Sequence, residues 1–358
     1  RNINHSMILK NKIIDPLQEL KLDGFTKLNQ LLKINHHSPS AAQLPLGFYV
    51  FSRLFCSQEE RRMFDGNANM AAGVAVGDAV AWHYADTIWS FHPFYKKLAP
   101  HKHIKLSQEE AIEKAIDKFK NYDAVNDKDQ DKKEKYLETI PQTIRQAFLV
   151  FDQLGANKAT EVVAEDSINH VDERLSLPIV GRTDLHFKDF KSKEQSSDAT
   201  SPIHGNDALF LSVLELKTTW QTPGKIKKDG SRSFSLARLP SSPSRNHLKQ
   251  LGFYAEVKKP CNPKLVYVTA DGFQVFTKEN CADLEPKNLH NYYEMLIKDC
   301  MRIERMLARH IDLEEPDMIL DEIARDVDPD FESFYWNIGE KYLSKAKKIW
   351  SSLWSLQS

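Results

Sequence analysis

The chain has 358 residues, 41% of them apolar and 10% aromatic, with 49 basic against 50 acidic groups for a net charge of -1. That apolar share supports a buried core and excludes a wholly disordered chain, which needs low hydrophobicity and high net charge. Near-neutrality excludes a uniformly basic nucleic-acid coat, so any polyanion site is a local patch, and four cysteines in this length exclude a disulfide scaffold.

No stretch reaches the roughly 18 apolar residues that a membrane helix needs. The longest, positions 71–82, is short and contains Asp78. The opening RNINHSMILKNK has no signal-peptide apolar core. The expectation is a soluble, cytoplasmic protein of a reducing compartment, with no membrane partner.

Positions 1–37 alternate short apolar runs with Lys and Asn and read as a helical lead-in. A helical block follows, from about 40 to 155. In it, GVAVGDAVAWHYADTIW places Gly73 and Gly77, which allow close backbone approach, ahead of His83 in an apolar helix. Such a histidine is often a satisfied core residue; as a metal ligand it supplies one imidazole nitrogen. Ser107 and Glu110 fit a capping box, and Ile112, Ala115, Ile116 and Phe119 share one apolar face. The mixed-charge run 123–135 reads as a solvated helix end or loop. Pro141 opens another helix, with Ile144, Ala147, Phe148, Phe151 and Leu154 inward and Gly155 as its stop.

The texture changes near 160. Segments 161–168, 179–187, 209–217 and 264–269 are short and rich in β-branched residues, and read as strands. Asp271-Gly272 marks a tight hairpin after the last of them. A helix at about 244–258, with Ser244 as N-cap, lies between the third and fourth strands, and the chain is helical again from 289 onward. The pattern predicts a mixed α/β core with helical flanks.

The sharpest chemical signal is LSVLELKTTW. Alternation puts Val213, Glu215 and Lys217 on one strand face. A carboxylate and an ammonium ending a buried strand are costly unless paired or engaged with a ligand; an edge-strand ion pair is the plain alternative. Upstream, GRTDLHF carries Asp184 on a second strand. If the two strands pair antiparallel across the loop 188–208, Asp184 comes beside Glu215. Two such carboxylates repel unless a hard divalent cation lies between them, which suits magnesium or manganese. A lysine in reach orients an activated water and steadies a developing oxyanion. On the helix SRNHLKQLGFYAEV, Gln250 and Tyr254 share a face that His247 extends, beside a core stripe of Leu248, Leu251 and Ala255. A glutamine amide and a tyrosine hydroxyl can both hold phosphate, although taken alone this is also an amphipathic surface helix.

The series His83, GRTD with Asp184, LELK with Glu215 and Lys217, then Gln250 with Tyr254 resembles the PD-(D/E)XK nucleases. More narrowly, it is similar to their RecB-like and mitochondrial genome maintenance exonuclease branch. The segment SPSAAQLPLGFY is similar to the serine-rich opening of that branch's nuclease domain, and the resemblance spans roughly 38–277. It implies a restriction-endonuclease-like α/β core with a short mixed sheet. It implies a nuclease domain at 38–288 with a helical insertion at about 105–155, and a C-terminal helical extension at 289–358. It implies Asp184, Glu215 and the Leu216 carbonyl as ligands of magnesium or manganese, with His83 a further ligand and Lys217 the catalytic lysine. Gln250 and Tyr254 become the supporting motif that holds the scissile strand. Relatives carry another acid on the preceding strand, for which Glu161 and Glu165 are both candidates. Some relatives hold an iron–sulfur cluster, but Cys261, Cys281 and Cys300 are too widely spaced to converge, so no cluster is expected.

Between Lys217 and Gln250, positions 221–250 hold Lys225, Lys227, Lys228, Arg232, Arg238, Arg245 and Lys249 against one acid, Asp229. This Gly-, Pro- and Ser-rich segment reads as a mobile flap that contacts phosphates with little sequence preference, or as a solvated insertion. Positions 312–332 hold ten acids and one arginine, a solvated face or a docking surface. Trp336, Leu343, Ala346, Trp350 and Leu353 form a stripe expected to pack in the core. The resulting expectation is a DNA exonuclease acting on ends or single strands, as in stand-alone phage recombination and replication enzymes. An endonuclease of the same fold and a catalytically silent nucleic-acid-binding module are the rivals.

Overall fold

The structure is a computed structural model that describes residues 30–65, 68–92, 97–188, 211–310 and 315–355. The lead-in up to position 29, the linker at 189–210 and the acids at 312 and 314 lie outside those residues.

Short helices α1 (Pro39–Ala42) and α2 (Leu46–Val50, running on as a π-turn through Phe55) precede α3 (Gln58–Asp65) and α4 (Ala68–Tyr84). Alanine and valine on α4 leave it apolar nearly all round, so it is a core helix. The helical block expected at 40–155 is then interrupted by a hairpin, β1 (Thr87–His92) and β2 (Lys97–Lys102). Pro100 hid β2 from pattern reading, and it also blunts this edge of the sheet. Helix α5 (Gln108–Lys120) starts at the expected capping box, with Ser107 and Glu110 each satisfying the other's backbone N–H.

Helix α6 (Asp127–Gln153) corrects the expectation that Pro141 opens a helix. It starts at the Asn126 cap and passes straight through Pro141, and the mixed-charge run is its first turns. Asp129 in that run is buried: its carboxylate accepts from Ala68 N (2.9 Å), Tyr122 OH (2.6 Å) and Val125 N (3.3 Å). Packing of Tyr136 and Ile140 in the core outweighs the hydrogen bond that proline removes. Gly155 ends the helix at φ +88, where only glycine is unstrained.

The sheet follows as β3 (Val162–His170), β4 (Ile179–Lys188) and β5 (Leu211–Thr218), then a separate hairpin, β6 (Pro223–Ile226) and β7 (Arg232–Phe234). Helix α7 (Arg245–Val257), capped by Ser244, leads to β8 (Cys261–Thr269) and β9 (Gly272–Phe276), joined by a two-residue turn. Helices α8 (Pro286–Ala308), α9 (Pro316–Arg325) and α10 (Glu340–Ser355) complete the chain. The seven strands run β2-β1-β3-β4-β5-β8-β9, a mixed sheet in which β1/β3 and β5/β8 are parallel.

Helices cover both faces. One layer is α4, α5 and α6, packed on Leu214, Val266 and Val268. The other is α1, α2, α7, α8, α9 and α10, packed on Val213, Ile179 and Ile168. The C-terminal helices therefore share a core with the sheet, and the stripe Ala346, Trp350 and Leu353 is buried in it as expected.

One irregularity positions the site. Along β4, Ile179 and Gly181 face the α7 layer; a Cβ on Gly181 would meet Phe253 and Tyr254 at 2.9 and 3.0 Å. Leu185 and Phe187, of the same parity, face the α4 layer. Along β3, Val162 and Ala164 face the α4 layer and Ile168 the other. One parity ordinarily keeps one face, so both strands exchange faces between these points. The register, with Ala164 opposite Leu185 and Asp166 opposite Thr183, puts Glu165 and Asp184 on the rung where they do so. Glu165 absorbs the change with a left-handed backbone, φ +56.

Candidate functional site

The ladder between β4 and β5 ends at Leu185 opposite Leu214, one rung short of Asp184 and Glu215. Beyond it the two strands separate, and side chains fill the fork. The Asp184 carboxylate replaces the lost ladder by accepting from the Leu216 N–H at 2.6 Å. Glu215, 1% exposed, points into the α7 layer, where its Oε1 takes the Lys217 ammonium. Lys217 also donates to Gln250 Oε1 (3.3 Å), and Gln250 Nε2 donates to Tyr254 OH (2.8 Å). The structure thus links Glu215, Lys217, Gln250 and Tyr254 in one hydrogen-bonded chain, with Asp184 held beside it by the Leu216 N–H.

Burial governs its electrostatics. Glu215 is pushed up to about 8, by burial first and then by the Asp184 charge, with Lys217 only partly opposing and Glu165 adding to the rise. Asp184 is also raised by burial, against the pull of Lys217 and the Leu216 N–H. Burial pushes the Lys217 ammonium down, but Glu215 and Asp184 outweigh it and hold it above the ordinary lysine range. Lys217 is therefore a fixed cation between acids that are short of positive charge.

The other expected residues divide. Of the two additional acids, Glu165 is the one beside the fork: burial and then Asp184 raise its pKa, and Arg182 Nη1 holds its Oε2 at 3.3 Å. Glu161 precedes β3 and is exposed. His83 is engaged elsewhere: its Nδ1 donates to the Leu106 carbonyl (2.8 Å), and its ring lies against Tyr84 and Phe148 at 4.6 and 4.8 Å. It is not one of the groups gathered at Asp184. The acid of α4 whose charge reaches Glu165 is Asp78, itself paired with Lys118; its signal in the sequence was to be the single charge in an apolar run. Gly73 does permit a close approach, to Thr218 Oγ1 at 3.0 Å from a notional Cβ, whereas nothing approaches Gly77.

Tyr254 is 1% exposed and its hydroxyl turns inward. It meets Gln250, which in turn meets Lys217, so its contact with the cluster runs through Gln250. Sequence reading also missed the pair behind Lys217. Tyr267 OH donates to His247 Nδ1 (2.7 Å), and burial and then Lys217 lower that imidazole to about 4.

The expected phosphate-binding residues are not one loose flap. Lys225, Lys227, Lys228, Arg238 and Arg245 are exposed. Arg232 Nε binds Asp131 Oδ2 on α6 (2.6 Å), and Lys249 binds Asp299 on α8 (2.5 Å). Part of this segment is the β6–β7 hairpin, which Arg232 ties to α6. Among the described residues no cysteine is in a disulfide; Cys56 and Cys300 are buried and Cys261 and Cys281 half-buried.

The oxygen set fits a hard divalent cation. Glu215 Oε2 is buried with no hydrogen-bond partner, and a bare carboxylate oxygen there is costly unless a cation or donor meets it. Among the described residues no group of three or more His, Cys, Asp and Glu side chains is placed to hold a metal ion. A magnesium-type ion needs none, because it takes one or two carboxylates and keeps several waters. Among the described residues no helix is long and apolar enough to cross a membrane.

Fold and site together define an α/β chain with a buried acid–acid–lysine cluster at a fork in a mixed sheet. No family model and no curated protein matches the chain. Among solved structures it is similar to SSO0001, at 18% identity and a TM-score of 0.23, over 46% of this chain and 66% of that one. A similarity at that TM-score carries no weight for fold or function.

Proposed function

We propose that the chain is a divalent-metal-dependent DNA nuclease of the PD-(D/E)XK type, RecB-like, that hydrolyses phosphodiester bonds at DNA ends or in single strands during recombination, replication or repair. The observation that carries this reading is the Glu215 carboxylate: buried, raised to about 8, one oxygen on Lys217 and the other unpartnered, with Asp184 on the facing strand.

Asp184, Glu215 and the Leu216 carbonyl would hold magnesium or manganese, with Glu165 the nearest further acid. Bound there, the ion supplies Lewis-acid polarisation of a phosphoryl oxygen and a water of lowered pKa. The chain's own groups do the rest. Lys217 is held as an ammonium by Glu215 and Asp184, so it donates hydrogen bonds and stabilises negative charge on a phosphorane. Gln250 fixes its direction, and the buried Tyr254 fixes Gln250. Helices on both faces limit water access and strengthen each of these interactions.

The test is a nuclease assay with magnesium or manganese on 5′- and 3′-labelled strands, with a circular single strand to separate exonuclease from endonuclease. Lys217→Ala and Asp184→Ala are expected to lose at least about a hundredfold in cleavage rate while keeping the parent's circular dichroism. Variants that cut like the parent overturn the assignment.

A further inference from the structure

Glu215 is 1% exposed, and a strand freed from its partner needs less room to bring a phosphate to it than a duplex does. The β6–β7 hairpin flanks the site along the chain. It leaves β5 just after Lys217, and its return leads into α7 and Gln250. A two-stranded hairpin is marginal by itself, yet this one is braced. Tyr136 OH donates to Gln221 O at its base (2.8 Å), and the Tyr136 ring lies 4.9 Å from that of Trp220. Arg232 reaches Asp131 and the Gly224 carbonyl (2.6 and 3.1 Å), and Lys227 N donates to Ser231 O across the tip (2.7 Å).

On this braced hairpin Ile226 is 63% exposed, between Lys225 and the pair Lys227 and Lys228, which are exposed as well. Leu236, 75% exposed, follows at the base. Isolated exposed aliphatics are common, but an isoleucine set among three lysines on a braced hairpin next to a buried acid site has a specific complement. Lysines pair with phosphates irrespective of sequence. An aliphatic side chain inserts between base steps and unstacks them.

We infer that the β6–β7 hairpin is a wedge for duplex DNA ends: Ile226 unstacks the terminal base pair, Lys225, Lys227 and Lys228 hold the flanking phosphates, and one strand passes on to the fork. The inference rests on the nuclease reading, and its test separates the two. A duplex with 2-aminopurine at its terminus is mixed with the protein in EDTA, so that unstacking is read without cleavage. The parent raises the fluorescence, and Ile226→Ser removes most of the rise. With magnesium present, Ile226→Ser lowers the ratio of duplex-end to single-strand cleavage by about tenfold, a modest share of the cost of unstacking. Replacing Lys225, Lys227 and Lys228 by Gln weakens binding to duplex and single strand alike and flattens its salt dependence. If the terminal base stays stacked, or Ile226→Ser matches the parent in both measurements, the wedge is overturned while the nuclease reading stands. If fluorescence rises but no metal concentration yields cleavage, the nuclease reading fails and the wedge stands.

Discussion

Glu215 shows how one side chain couples folding to chemistry. Its carboxyl ionises near pH 4.5 when unfolded and at about 8 in the fold. A raised acid favours the folded state while it is protonated. That contribution is complete below about pH 4.5 and is lost as pH rises through about 8. Glu215→Gln keeps the shape and cannot titrate. In EDTA, its stability relative to the parent is expected to climb by more than about 1 kcal/mol between pH 5 and pH 8.5, as read by urea denaturation. Magnesium at the higher pH should stabilise the parent and leave the variant nearly unmoved, because only the parent gains a counter-ion for a bare oxygen. A stability difference that stays flat with pH and metal would mean that Glu215 is already fully paired.

At the scale of the element, strand β3 stores strain where it serves the site. A left-handed backbone at Glu165 costs a non-glycine residue about 1 kcal/mol or more, and Asp184 on the facing strand adds charge repulsion. Glu165→Gly relieves both and is expected to raise stability by about 1 kcal/mol in urea denaturation, while weakening manganese binding measured by calorimetry. A variant less stable than the parent would show that the Arg182 pairing outweighs the strain. This feature was not legible in the sequence, because the residue at the left-handed position is not glycine. What was legible obeyed local rules. The period-2 runs gave β3, β4, β5 and β8, and Ser107, Ser244 and Gly155 marked helix ends. The spacing of Glu215 and Lys217 put both on one face, and Asp184 did arrive opposite them. What failed depended on tertiary context: Asp129, buried by partners far along the chain, and Pro141, carried inside α6 by its neighbours' packing. His83 has the residue type of a ligand, but its position on α4 puts it against Leu106 and Phe148.

For the whole molecule, the C-terminal helices are joined to the strand that carries Asp184. Glu304 on α8 is 0% exposed and collects four bonds' worth of donors: His37 Nε2 (3.0 Å), Leu177 N (2.9 Å), and Ser176 N to both oxygens (2.9 and 3.0 Å). His37 in turn is stitched to the start of β4, donating its N–H to Pro178 O and accepting from Val180 N, each at 2.8 Å. One buried carboxylate thus fixes the N-terminal segment, the entrance to β4 and α8 relative to one another. Glu304→Ala leaves a buried imidazole and two amides unpaired, and the expected cost is about 3 kcal/mol or more. Because α8, α9 and α10 share their core with the sheet, that loss should move a single cooperative transition. Tryptophan emission, with Trp336 and Trp350 in the C-terminal layer, and far-ultraviolet circular dichroism should therefore shift together to lower guanidinium concentration. Two separated transitions, with the emission change first, would show instead that the C-terminal helices fold as an independent unit and that Glu304 holds nothing across the sheet.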